Sequence, residues 1–294
     1  MKKALLQLHG AVFLGGFTGV LGRAITLDSV WLVWYRLLIT AVSLWLLFGL
    51  QKRLVRPRRG VLPIALIGVV QALHWVCFYG SIKWSNVTIA LTTLATSALL
   101  SALIEPLVLR RRFDFVEIFL GFFAIAGIAI IYQTHLQFGA GIILGLVSAL
   151  LTVFVSVLNK KWVDAFPPEE ITVYQLSGGF LGLTLLLPLY TYLFPEGPRV
   201  PGATDWLWLT VLSWVCTIYT FFLYIRSLKK VSAFTMNLTL TLEPVYGILL
   251  AFVLYQENRL LSNWFYLGFA LIALAVAYHM LRLIKPVRFL KAKE

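Results

Sequence analysis

Charge is what this chain has least of. Only 13% of its 294 residues are Asp, Glu, Lys or Arg, about half the share usual in a soluble domain. Acidic side chains are scarcer than basic ones, 12 against 25. The two cysteines, Cys77 and Cys216, both fall inside apolar runs and give no basis for a disulfide framework or a metal site. His-Glu-x-x-His and an ATP-binding glycine loop are missing. Gln175-Leu176-Ser177-Gly178 lacks the leading glycine of an intramembrane serine protease. The sequence therefore points away from an enzyme and from ATP-driven transport by this chain alone, and it calls for no cofactor or metal. Alternating strand patterns are missing too.

What fills the chain is apolar length: 60% of the residues are hydrophobic. Ten runs stand out, at 4–22, 30–50, 62–82, 87–109, 115–133, 139–159, 170–193, 205–225, 232–255 and 264–284. About 20 residues of helix cross a hydrocarbon core of about 30 Å. The expected class is an all-α polytopic membrane protein with ten transmembrane helices. The amino-terminal Met1-Lys2-Lys3 and its apolar run read as a first span rather than a cleaved leader, since the run is long and no small-x-small site follows.

Lys and Arg set the orientation. With the amino terminus in the cytoplasm, 20 basic residues fall on inside segments. Four (Arg23, Lys83, Arg199 and Arg259) fall outside, and Arg36 sits near the outer end of the second span. The positive-inside rule then predicts that both termini are cytoplasmic. The net charge of +13 is accounted for by topology and anionic headgroups, so nucleic acid is not an expected partner. Aromatic residues at the span ends, among them Trp31, Trp34, Tyr35, Trp206 and Trp264, suit the headgroup level.

The chain also repeats itself. Residues 85–132 overlay residues 232–279 without a gap at an offset of 147, half the chain length. Ser85 falls on Ser232, Thr88 on Thr235, Thr92 on Thr239, Arg112 on Arg259 and Gly121 on Gly268. Five spans per copy is an odd number, so the second copy enters the membrane from the opposite side. The expected units are 1–135 and an inverted 136–294, a 5+5 inverted-topology repeat. Many secondary transporters use that arrangement to expose one central site to either face in turn.

Leu242-Glu243-Pro244-Val245, the later Glu257, the entry Arg226-Ser227-Leu228-Lys229-Lys230, Arg36 early in span two and the Gly15-Gly16 opening together resemble EamA-type members of the drug/metabolite transporter superfamily. The resemblance covers the whole chain. It implies a secondary transporter of small metabolites, amino acids and related compounds above all, commonly exported across a bacterial plasma membrane. The first half departs from the pattern: the offset sets Ser97 opposite Pro244 and Arg110 opposite Glu257.

Candidate site residues are the polar groups at membrane depth, where each costs free energy unless it meets a cavity or a partner. Thr88, Thr92 and Thr96 recur every four residues and share one helical face. Their repeat counterparts Thr235, Thr239 and Glu243 form an equivalent stripe. The stripes either line one cavity or bond their own helices. Gln71, His74 and Trp75 share a face of span three, suited to a neutral or zwitterionic organic solute or to helix–helix hydrogen bonds. Glu243 is a candidate for substrate contact and proton coupling, or for locking span nine to a neighbour. His9 is a second coupling candidate, and Arg36 either meets an anionic group at the outer mouth or snorkels to the interface. The expected partners are a small solute, with or without protons, and the lipid bilayer. A channel or scaffold role is the alternative to a carrier.

Overall fold

The computed structural model describes residues 2–51, 61–109, 115–160, 162, 165–195, 197–220, 223 and 242–284. Among these the chain is helical throughout, and each of the ten apolar segments carries helix in its described part. The helices are α1 (Lys2–Ala24), α2 (Ser29–Leu50), α3 (Val61–Trp84), α4 (Val87–Ala95), α5 (Ser97–Leu109), α6 (Phe115–Thr134), α7 (Gly139–Lys160), α8 (Pro168–Leu193), α9 (Ala203–Ser213), α10 (Glu243–Tyr255) and α11 (Asn263–Ile284). Four stretches, Ser29–Leu50, Val61–Trp84, Leu136–Asn159 and Glu169–Leu193, are long and apolar enough to cross a bilayer by themselves.

Local chemistry fixes the helix ends. Asp28 caps α2 by accepting from the Val30 and Trp31 amides at 2.8 and 3.0 Å. Asn86 caps α4 through the Ile89 amide at 2.8 Å. Such caps satisfy donors that have no intrahelical partner. Pro168 opens α8, with Glu169 and Glu170 in its first turn, the end where negative charge is favoured.

Two apolar segments do not form a single regular helix. The run 87–109 divides at Thr96 into α4 and α5. Thr92, Thr93 and Thr96 each turn a hydroxyl onto a carbonyl of the preceding turn, which competes with the helical ladder and bends it. After α9 the chain continues as a π-helical turn, Trp214–Tyr219. Thr217 and Thr220 donate to the carbonyls five residues back, Leu212 and Val215.

Helices from the two ends of the chain pack on one another: α3 on α7 and α8, α6 on α11, and α1 on α10. Glycine makes the closest approaches possible. A Cβ on Gly68 would lie 1.8 Å from the Gln175 carbonyl oxygen of α8. A Cβ on Gly16 would lie 2.7 Å from the Glu243 carbonyl oxygen of α10. Without a hydrophobic force between helices in lipid, backbone proximity of this kind is the main source of packing energy. The outward surface is apolar, with Phe115, Phe119, Phe122 and Ile125 of α6 all exposed.

Gly127 of α6 and Gly268 of α11 form a reciprocal contact, each blocking a Cβ on the other at 2.5–2.6 Å, whereas a Cβ on Gly121 meets nothing within 4 Å. Gly268→Val is expected to cost about 1–3 kcal/mol through overpacking, read as a lowered Tm in detergent. Gly121→Ala, at the repeat-equivalent position, is expected to leave the Tm unchanged.

Candidate functional site

The interior polar cluster is built around Arg36. Its position on α2 is seven residues past Ser29, about 10 Å along the helix, yet its side chain is only 4% exposed. It does not snorkel to the surface: the guanidinium turns inward. One face stacks on Trp75, with Cζ 3.9 Å from the ring centroid. Nη1 donates to the Tyr79 hydroxyl at 2.8 Å. Nε and Nη2 donate to the Thr217 hydroxyl at 3.1 and 3.0 Å. The π turn positions Thr217, whose own hydroxyl donates to the Leu212 carbonyl at 2.8 Å. Departures from the i to i−4 register of this kind recur at functional sites because they re-aim a side chain.

Arg36 has five N–H donors, and three hydrogen bonds engage them among the described residues. Among the described residues, two donors have no acceptor. Glu243 opens the described part of α10. Its carboxylate lies against Gly15 of α1, where a Cβ would meet Cδ at 2.9 Å and both oxygens at 3.1 Å. Gly15 thus leaves the space that the carboxylate occupies. A cation and an acid from opposite ends of the chain face the same interior, with an aromatic floor beneath the cation.

The other expected residues are placed as follows. His74 is buried, and its Nδ1 lies 2.9 Å from both the hydroxyl and the carbonyl oxygen of Ser148, whose hydroxyl returns to the His74 carbonyl at 3.1 Å. This pins α3 to α7. Gln71 is half-buried one turn before Trp75. Thr92 and Thr96 are buried and bonded to carbonyls of their own helix, so in this conformation they do not present free hydroxyls. Thr88 instead donates to Glu257. His9 is exposed on α1, with Nδ1 3.4 Å from the Tyr246 hydroxyl. Thr235 and Thr239 lie outside the described residues. Tyr79 and Thr217 were not anticipated. Tyr79 carries a signal, since it lies one turn beyond Trp75, but Thr217 becomes an arginine partner only through the π register.

Apolar helices packed across the chain around a buried arginine and a half-buried acid are the architecture of a polytopic membrane protein. The chain belongs to the EamA-like transporter family, whose family model matches residues 2–133 and again 139–279. It is similar to a Bacillus subtilis (strain 168) protein named uncharacterized transporter YxxF, 24% identical over 84% of this chain and 80% of that one. It is also similar to uncharacterized transporter sll1164 of Synechocystis sp., 22% identical over 54% of this chain and 45% of that protein. A solved crystal structure shares the fold with a TM-score of 0.63 and 16% identity, covering 96% of this chain and 99% of its own.

Thr217→Val removes the acceptor of two Arg36 donors in a buried setting. Hydrogen bonds to charged groups are worth about 1.5–3 kcal/mol, and a Tm loss of matching size is expected from melts followed by tryptophan fluorescence. Thr220→Val serves as the control, because among the described residues its exposed hydroxyl bonds only its own helix, and it should melt near the wild type.

Proposed function

We propose that this protein is a secondary transporter that exports small zwitterionic metabolites, amino acids and related compounds, by alternating access between two inverted five-helix halves. In this reading ten spans cross a bacterial plasma membrane and both termini are cytoplasmic. The observation that carries it is the buried Arg36, two of whose N–H donors have no acceptor among the described residues, in an interior that also holds the Glu243 carboxylate against Gly15. A substrate carboxylate would take the open N–H groups of Arg36 in a charge-assisted bond. A substrate ammonium would face Glu243, and an apolar side chain would lie along the Trp75 side.

The two consecutive matches to one family model support the two-unit organisation, and the 20-to-four division of basic residues supports the orientation. The helix break at Thr96 supports a moving element, since interrupted helices at mid-depth are common in alternating-access carriers. Glu243 also supplies the proton-coupling candidate, because it can be neutral or charged in a site that has few other charges. Pro244 behind it sits in the first turn of α10, where a missing amide donor breaks no helical bond.

Counterflow of a labelled amino-acid panel in proteoliposomes tests this reading. Wild-type protein should give saturable exchange that responds to an imposed pH gradient. Arg36→Lys keeps the charge but loses the planar fork, and its half-saturating concentration should rise at least about tenfold, equivalent to about 1.4 kcal/mol. Glu243→Gln should lose the pH response at an unchanged membrane level. Flux that does not saturate would indicate a channel. Wild-type behaviour of both variants would remove the site from the mechanism.

A further inference from the structure

Glu257 is the most completely enclosed acid among the described residues, with 0% exposure, and it lies outside the Arg36 cluster. It follows α10 directly. Gln256 takes a left-handed conformation (φ 52°, ψ 33°) that ends the helix and turns the chain back. Glu257 Oε1 accepts from the Val87 amide at 3.0 Å, and Oε2 accepts from the Thr88 amide at 2.7 Å and the Thr88 hydroxyl at 2.6 Å. It also forms an ion pair with Arg23 at the end of α1. Arg23 in turn lies over the Tyr255 ring, 4.4 Å from its centroid, and the Tyr255 hydroxyl donates to the Val20 carbonyl at 2.9 Å.

The acid from the second half therefore satisfies the amino-terminal amides of α4 and the cation of α1, both in the first half. A carboxylate at a helix amino terminus is electrostatically favoured as well as hydrogen-bonded. In the proposed topology every member of this group lies at the outer end of its span. It is a bond network across the seam that separates when the outer face opens.

The repeat does not carry this acid over. At the offset of 147, Arg110 stands where Glu257 stands. We infer that Arg23, Glu257 and the first turn of α4 form an outer latch. The latch holds the solute-free carrier closed to the outside, and outward opening must break it. This rests on the alternating-access reading.

The test uses Thr92→Cys, one turn inward of Thr88, in full-length protein lacking Cys77 and Cys216. Labelling is done on intact cells with a membrane-impermeant maleimide. With the latch intact, Cys at 92 should label slowly. Glu257→Gln keeps the shape but loses the charge, and should raise the external labelling rate at least about tenfold. Arg23→Gln should act in the same direction, and Thr88→Val, which removes one hydrogen bond, should give a smaller rise. If Glu257→Gln does not reach the membrane, Arg23→Gln and Thr88→Val carry the same comparison. Unchanged labelling in the variants that do reach the membrane overturns the latch and leaves Glu257 a helix cap, whatever the transport result. Absence of wild-type counterflow counts against the transporter reading, and the labelling rates still report whether the outer seam loosens.

Discussion

A guanidinium enclosed among apolar helices is the constraint on which the rest of this structure depends. It is stable only while its charge is compensated and its N–H groups have acceptors. Arg36 meets that requirement with partners drawn from along the chain: Trp75 and Tyr79 from α3 and Thr217 from the π turn after α9. The arginine thus ties α2 and α3 to a segment some 180 residues away. Among the described residues the requirement is met only in part, with two N–H donors left without an acceptor, and the proposed solute carboxylate would complete it. A structural arginine in a sealed core would gain from having every donor occupied.

The glycine contacts determine how the bundle can move. Where Gly68, Gly178 and Gly179 bring α3 and α8 to backbone distance, the helices have no side-chain layer between them to deform. Large rearrangement at such a crossing would break many contacts together, so motion is directed to the seams held by discrete polar bonds. The group around Glu257 is one such seam. It joins α1, α4 and the turn after α10 through one carboxylate, and removing that carboxylate's charge would affect all three at once.

The positions of the helices were legible in the sequence because hydropathy reports length and burial in lipid directly. Hydrogen-bond register was not legible. The division at Thr96 and the π turn at Trp214–Tyr219 interrupt runs that are uniformly apolar, and only the hydroxyls of Thr93, Thr96 and Thr217 mark them. Arg36 was expected near the outer mouth because its distance from the span end can be read from sequence, whereas the inward direction of its side chain depends on partners in α3 and beyond α9. His74 was expected beside Trp75 on a shared face, but Ser148 of α7 claims it. Glu257 stood out in the sequence only as part of a family pattern, since a single acid after an apolar helix is indistinguishable from a solvated loop residue. Its burial depends on α4, which the chain forms some 170 residues earlier.

The central claim is that two halves rock about the Arg36–Glu243 interior, and it is tested most directly by distance. Trp84 at the end of α3 and Leu260 after α10 are both exposed and belong to opposite halves at the proposed outer face. Paired spin labels at these positions, measured by double electron–electron resonance in liposomes, should give a dominant short distance without solute. A longer population should grow when a transported solute is added. A single distance distribution, unchanged by any solute that the protein transports, would contradict the account.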